Sequence, residues 1–353
     1  MKIRHFVFAA IAMIACTACQ EKNITPDVPA QDQEVCTVQL GFGGEWDVTY
    51  EPLTRGNDNN DLYGIQVYSA PVDENNTSTT WSHYAYALYD DVSNVSINLL
   101  MGFKYKFEAT MVVDGKNKLK LRPDGYNCPF YKYGSNYGLI NVTNGFIYSS
   151  ANYLSNCGSY DYGTLTGGNT YLAADGKEYG HPNTERYYGI FEGYVPEESS
   201  NSKVKIHMKR TSFGAKFIAQ GKLATAGQLE ISMSEAPKIL LDLADEKQHD
   251  DIYTFKYVKQ AHDYQTGNYE EDVDVSINWY YQHEDGSTVT VPLGTHKITY
   301  KRNATTVVKI NLENTNVEGG IGFELMEAGA MEAGPEYEIN DGNNVDTEID
   351  TNK

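Results

Sequence analysis

Positive charge is scarce in this 353-residue chain: 28 Lys and Arg stand against 48 Asp and Glu, a formal net charge of −20. Such a surface repels phosphate backbones, which excludes nucleic acid as a partner. Cysteine is scarce too, five in all. No Cys-x-x-Cys pair occurs, so neither a zinc knuckle nor a thioredoxin-type redox motif is present. After the first nineteen residues no apolar run reaches the roughly 18 residues that a membrane helix needs. A His-Glu-x-x-His zinc motif, a Gly-x-Ser-x-Gly elbow and a P-loop are all missing. The eight His lie singly, as with His83 among tyrosines, His207 within an alternating run and His283 beside an acid in a turn. The reading is therefore of a non-enzymatic chain with no catalytic residue, no metal site and no cofactor. Long amphipathic helical patterns are absent as well.

What is present begins at the N-terminus. Lys2 and Arg4 form a short basic start, and Phe6 to Ala15 is unbroken apolar sequence. Ala15-Cys16-Thr17-Ala18-Cys19 follows. This is the layout of a secretory signal peptide, residues 1–18, too short to cross a bilayer. A cysteine preceded by Ala at the cleavage point resembles the bacterial lipobox. That resemblance implies a diacylglycerol on Cys19, or alternatively on Cys16, and anchoring to outer-membrane lipid through N-terminal acyl groups. Gln20-Glu21-Lys22 resembles the surface-export signals of Bacteroidota lipoproteins, which implies display at the cell surface. A plain cleaved signal with incidental cysteines is the bland alternative.

Residues 19–35 are polar, contain Pro26 and Pro29, and read as a tether. Beyond them the periodicity is two. Phe103, Tyr105, Phe107, Ala109 and Met111 alternate with Lys104, Lys106, Glu108 and Thr110. Val204, Ile206 and Met208 alternate with Lys205, His207 and Lys209. The same holds for Leu229 to Met233, Val273 to Trp279 and Val308 to Leu312. One dry and one wet face per run is the pattern of antiparallel sheets packed on one side. Asp-Gly turn signals at Asp114, Asp124, Asp175 and Asp285 separate the runs. The chain thus reads as all-β, two antiparallel β-sandwich domains in tandem, of transthyretin-like or immunoglobulin-like type. Pro196 to Ser202 is the expected linker between an N-terminal domain at 36–195 and a C-terminal domain at 203–335. Residues 336–353 read as an acidic solvated tail.

Three cysteines lie outside the signal region. Cys128 and Cys157 can pair in an oxidising compartment, or remain free thiols like Cys36. Asn57 to Asp61 and Asp341 to Asp346 are oxygen-rich, but neither has the calcium-loop spacing with its closing Glu. Between about 122 and 188 Tyr alternates with Gly, Asn and Ser: Tyr126, Tyr131, Tyr133, Tyr137, Tyr148, Tyr153, Tyr160, Tyr162, Tyr171, Tyr179, Tyr187 and Tyr188. This is the composition of recognition loops, with aromatic faces suited to sugars or to a protein partner. The bland reading is that these rings fill a loop-rich domain.

Several short segments together resemble the fimbrillin-like lipoproteins of Bacteroidales. They are the lipobox start, Pro52-Leu53-Thr54-Arg55-Gly56, Val204 to Arg210 running on to Ala215-Lys216-Phe217, and Tyr300-Lys301-Arg302-Asn303 before Val307 to Ile310. The resemblance implies two β-sandwich domains and a role as a fimbrial subunit, tip, accessory protein or adhesin. It implies association with other fimbrial subunits by strand donation, and cleavage between Arg55 and Gly56 by an arginine-specific protease. It also places Val204 to Arg210 at the start of the second domain. A surface glycan-binding lipoprotein is the alternative, and a glycan or a host protein is the corresponding partner.

Overall fold

The computed structural model describes residues 34–44, 60–72, 80–135, 138–155, 171–197, 203–221, 227–263, 269–282, 285–312 and, for the backbone alone, 323–330. In chain order the first half runs β1 (Val35–Gly44), β2 (Leu62–Pro71), β3 (Ser82–Tyr89), β4 (Val95–Leu100), β5 (Phe103–Val112), α1 (Gly115–Lys118), β6 (Leu121–Arg122), β7 (Gly125–Tyr126), β8 (Tyr131–Tyr133), β9 (Ile147–Tyr148), β10 (Tyr153–Ser155), β11 (Tyr171–Leu172), β12 (Glu178–Tyr179), β13 (Arg186–Tyr194) and β14 (Lys203–Arg210). The second half runs β15 (Ser212–Gln220), β16 (Gln228–Met233), β17 (Ile239–Asp242), β18 (Gln248–Thr254), α2 (Val258–Asp263), β19 (Glu270–Gln282), β20 (Thr288–Lys301), β21 (Ala304–Asn311) and β22 (Phe323–Ala330). The chain is all-β, as the alternation predicts.

The first sandwich is one eight-stranded sheet in the order β4-β1-β14-β13-β5-β2-β3-β9. A single core holds Val38 and Leu40 of β1, Ile65 and Val67 of β2, Ile97 and Leu99 of β4, Phe107 and Met111 of β5, and Ile206 and Met208 of β14. Residues from both ends of the sheet share that core, so the sheet is rolled on itself. The roll brings edge strand β4 against β3 and β9. There the Tyr84 hydroxyl donates to the Asn98 carbonyl at 2.7 Å, and the Asn98 N–H donates to the Tyr148 hydroxyl at 2.9 Å.

The second sandwich is two four-stranded sheets, β18-β15-β21-β22 and β17-β16-β19-β20. Phe213 and Phe217 of β15, Tyr253 of β18 and Ile310 of β21 pack on Leu229, Ile231, Ile277, Trp279 and Tyr300 of the facing sheet. Each such side chain contributes about 1.5–3 kcal/mol through removal from water. The pairing is not wholly antiparallel. β1 runs parallel to β14, and β15 runs parallel to β21. In each sandwich the first strand thus lies between an antiparallel neighbour and a late parallel one, which only a long crossover permits.

Two expectations are corrected. The boundary does not fall at 196–202, because β14 pairs with both β13 and β1 and its Val204, Ile206 and Met208 complete the first core. The chain changes sandwich at Thr211, a single fully buried residue between β14 and β15. The segment resembling the start of a second domain is therefore split: Val204 to Arg210 belongs to the first sheet, Ala215 to Phe217 to the second sandwich. The outer face of β5 is also drier than alternation predicts, since Glu108 and Thr110 are buried. A third layer, which holds Leu119, Tyr126, Phe130, Ile140 and Leu154, covers that face.

This boundary generates a prediction. A protease nick between 197 and 203 should leave two fragments that co-elute in native size-exclusion chromatography and separate only in denaturant, because β14 stays in the first sheet. Separation under native conditions would contradict the topology.

Candidate functional site

Two features rise above the scaffold: the lane that β1 occupies and the aromatic layer over the outer sheet face. β1 pairs parallel with β14 from Gln39↔Lys203 to Gly44↔Met208, and antiparallel with β4 from Val35↔Leu100 to Leu40↔Val95. Val38 and Leu40 point into the core, while Cys36 and Phe42 are half-buried against it. Cys36 is a free thiol. Residues 45–59, which follow β1, contain Arg55 and Gly56 and lie outside the described residues, as do Cys16, Cys19 and Cys157. Cys128 is buried and disulfide-bonded.

The outer layer is docked by specific groups. Gln66, fully buried on β2, accepts from the Leu154 N–H at 2.7 Å and donates to the Ala85 carbonyl at 3.2 Å. That ties β10 to β2 and β3. Gly64 permits the approach: a Cβ there would stand 2.7 Å from the Phe130 ring and 3.0 Å from Leu154. Leu119, Tyr126, Phe130, Ile140 and Leu154 then form a second core with Leu62, Tyr86, Leu88 and Val112 of the sheet and Val258 of α2.

A buried polar cluster lies beneath this layer. Glu108 accepts from the Tyr68 hydroxyl at 2.6 Å and from the Tyr188 hydroxyl at 2.7 Å. Arg186, fully buried, donates through Nε to Thr110 Oγ1 at 2.7 Å. Burial pulls the Arg186 guanidinium down to about 9, opposed by Tyr188 and the Glu108 carboxylate. It is therefore charged at neutral pH, beside a carboxylate that offsets part of its desolvation.

At the end of the sheet away from Arg186, aromatic rings and amines collect. His83 stacks on Tyr153 with centroids 3.8 Å apart and planes 3° apart, and Tyr153 lies 5.0 Å from Tyr133. Lys106 Nζ sits 4.2 Å over the Tyr68 ring and 5.5 Å from the Trp81 ring, with Lys104 5.9 Å from the same indole. Cation–π attraction holds such ammonium groups over the rings. The His83 Nδ1 is buried and has no hydrogen-bond partner among the described residues. Burial, helped by the positive charge of Lys106, pushes His83 down to about 4.

Beside the layer runs an open groove of about 580 Å³, with Tyr86, Asp124, Lys132, Asn141, Thr143 and Ile147 among its lining residues. It combines an aromatic ring with a carboxylate, an ammonium and an amide.

Most of the tyrosine-rich set is structural. Tyr126, Tyr187 and Tyr188 are buried, and Tyr131, Tyr133, Tyr148, Tyr153 and Tyr179 are half-buried. Tyr137, Tyr160 and Tyr162 lie outside the described residues, and Tyr171 is described by its backbone alone. Of the oxygen-rich segment at 57–61, Asn60 and Asp61 are described and have packing roles: the Asn60 carbonyl accepts from the Lys116 N–H at 2.8 Å and Asp61 Oδ1 from the Asp114 N–H at 2.8 Å. The other oxygen-rich segment, 341–346, lies outside. Among the described residues no group of three His, Cys, Asp or Glu is arranged to hold a metal ion. Sequence reasoning did not single out Gln66, Arg186, Tyr84 or Tyr105. For the two tyrosines the one signal was the excess of Tyr over Phe, 28 against 12; nothing in the sequence marked Gln66 or Arg186.

No protein-family model and no curated protein matches this sequence. Among solved structures the chain is similar to the tip fimbrial protein Mfa3 from Porphyromonas gingivalis: 8% identity, 84% of this chain and 100% of that one, TM-score 0.33. It is also similar to a fimbrial assembly protein from Parabacteroides distasonis: 9% identity, 84% of this chain and 99% of that one, TM-score 0.33.

The His83 stack generates a prediction with a definite sign. A histidine lowered from 6.5 to about 4 on folding binds more protons in the unfolded state between those values. Its contribution is full above about pH 6.5 and is lost as pH falls towards 4. The loss has an upper bound of about 3.4 kcal/mol, at 1.36 kcal/mol per pH unit between 6.5 and about 4. Urea midpoints at pH 4 to 7 should fall more steeply for the wild-type chain than for His83→Phe, which keeps the stack without the proton. Parallel curves would show that His83 does not couple to stability.

Proposed function

We propose that this chain is a lipid-anchored surface protein of fimbrillin-like type whose β1 is an exchangeable strand. The observation that carries the reading is the position of β1. It lies between two strands of the same sheet, and its covalent link to β2 runs through residues 45–59, which include Arg55. A cut between Arg55 and Gly56 would leave β1 held by two ladders and a few apolar side chains alone. A strand from another subunit could then recover the backbone bonds and refill the positions of Val38 and Leu40, in the manner of donor-strand complementation. In this reading Cys19 carries the lipid, residues 19–35 are the tether, and the partners are other subunits of a fimbrial or adhesive assembly at the outer membrane. No catalysis is assigned. The sandwiches divide at Thr211, with the acidic segment 336–353 as a tail.

The disulfide partner of Cys128 is proposed to be Cys157. Tyr131, three residues after Cys128, pairs with Ser155, two residues before Cys157. That separation is within reach of a single bridge. Peptide mapping without reductant should recover the Cys128 and Cys157 peptides as one species, and a link from Cys128 to another cysteine would refute the assignment.

Glycan binding is the second reading, favoured by the groove at Tyr86. It joins an aromatic wall to Asp124, Lys132 and Asn141, the mixture of apolar face and convergent polar groups from which small-ligand sites are made.

The strand-exchange reading is tested on surface material. Treatment with an arginine-specific protease should yield a new N-terminus at Gly56 and concentration-dependent higher-order species, both abolished by Arg55→Ala. Cys19→Ser should move the protein into the soluble fraction. Saturable polysaccharide binding with no Gly56 terminus would favour the glycan reading instead.

A further inference from the structure

Among the described residues β4 has a strand neighbour on one side alone. It lies at the end of the sheet, with β1 as its pairing partner. An edge of this kind leaves a row of backbone donors and acceptors in need of partners. In this chain three phenols supply them. The Tyr84 hydroxyl donates to the Asn98 carbonyl at 2.7 Å, while the Asn98 N–H donates to the Tyr148 hydroxyl at 2.9 Å. The Leu100 N–H donates to the Tyr105 hydroxyl at 2.7 Å, and the same hydroxyl donates to the Leu100 carbonyl at 3.0 Å. Asn98 and Leu100 therefore have both backbone groups satisfied from the side opposite β1.

The three tyrosines come from separate strands and are aimed by separate devices. Tyr84 sits in a β-bulge, where the β2–β3 register slips between Val67 and Tyr68. The bulge turns its side chain to the core face that its neighbour Ala85 also occupies. Tyr105, the third residue of β5, reaches back five residues to the end of β4, as a tyrosine corner does. Tyr148 rides on β9, opposite Ala85. The rings brace one another: Tyr84 meets Tyr105 edge-on at 5.2 Å and Tyr148 at 5.5 Å. Tyr84 and Tyr105 are almost wholly buried. Burial raises all three phenols, so they stay protonated, with Tyr84 and Tyr105 donating and Tyr148 accepting.

We infer that Tyr84, Tyr105 and Tyr148 are positioning residues that pin β4 from its outer side, so that the lane between β4 and β14 keeps its width and both backbone walls when β1 is out of it. The inference rests on the strand-exchange reading for its purpose, though not for its geometry. Without the pins β4 would lose every backbone partner along with β1 and could close the gap to β14. With them the gap stays at two strand spacings, about 9.6 Å. The occupant it fits is the one seen in it: an extended strand antiparallel to β4 and parallel to β14, with apolar residues at the positions of Val38 and Leu40. Preforming the lane raises the affinity for that strand by the factor by which it raises the open population.

The test uses the full chain as wild type and as Tyr84→Phe/Tyr148→Phe, cut with an arginine-specific protease, and a fluorescent peptide of residues 35–44 with Cys36 replaced by Ser. Circular dichroism checks that both forms fold. Amide exchange is followed at Asn98 and Leu100 before cutting. The expected result is uptake of the peptide by cut wild type, and uptake about tenfold weaker by the variant, as expected when the open lane is a minor population. Asn98 should also lose protection in the uncut variant. Equal uptake by both forms overturns the pinning and leaves strand exchange standing. No uptake by wild type counts against strand exchange, and the exchange data then decide the pinning: faster Asn98 exchange in the variant supports it, and unchanged exchange overturns it. If the double variant fails to fold, Tyr148→Phe alone, which removes one half-buried hydroxyl, is read in the same way.

Discussion

A rolled sheet must satisfy every backbone N–H and C=O along its seam, and that requirement organises the first sandwich. An unpaired buried peptide group costs about 1–3 kcal/mol. Closing the roll with another strand would have made a barrel. This chain closes it with phenols on β3, β5 and β9, which reach the carbonyls and amides of β4. A phenylalanine in any of these places would fill the same space and leave a peptide group without its partner. The preference for Tyr over Phe in this sequence thus has a structural origin in part: the hydroxyl is used as backbone hydrogen-bonding capacity.

The outer layer is a second consequence of the same economy of side chains. A sheet with a bare outer face would be expected to carry alternating polar residues. Here Glu108, Thr110 and Gln66 occupy outward positions and are buried. Each is satisfied by a specific partner: Glu108 by Tyr68 and Tyr188, Thr110 by Arg186, Gln66 by the backbone of Leu154 and Ala85. The Gln66 amide fixes where the layer sits, because a shifted insert would take away its Leu154 partner, while the Glu108 and Thr110 bonds join β2, β5 and β13 beneath the layer. The apolar contacts of Phe130, Ile140 and Leu154 supply adhesion, and the polar ones supply register.

Local alternation made the strands legible. Val273, Val275, Ile277 and Trp279 announce β19, and Phe103 to Met111 announce β5, because a period of two is written in neighbouring residues. Partnership was not legible. Val204, Ile206 and Met208 read correctly as a strand, yet their sheet is set by contact with Leu40 and Phe42, far away along the chain. A polar stretch at 196–202 was a reasonable place to divide the domains and the wrong one, since polarity does not tell a connection between two strands of one sheet from a linker between domains. The tyrosine-rich segment was read as recognition loops or filler. It is chiefly a packed layer, and only the destinations of its hydroxyls, invisible in one dimension, tell the two apart. Of the candidate site, Cys128 was named from the sequence as a cysteine that either pairs or stays free, and Tyr105 as one of the alternating residues of a strand, while Tyr84, Gln66 and Arg186 were not singled out.

The passage from β14 to β15 has a mechanical meaning. One buried residue, Thr211, joins the sandwiches, and around it the Thr211 N–H bonds the Arg186 carbonyl, the Phe255 N–H bonds the Thr211 carbonyl, and the Thr254 N–H bonds the Pro182 carbonyl. His181 adds a further tie, with Nδ1 2.9 Å from the Ser234 carbonyl and Nε2 3.2 Å from the Glu271 carboxylate. Tension applied to the two ends of such a tandem cannot be taken up by a slack connector. It is shared at once among these bonds and the strands they join, so the two sandwiches take up a pull together, where a linked pair of beads would first straighten.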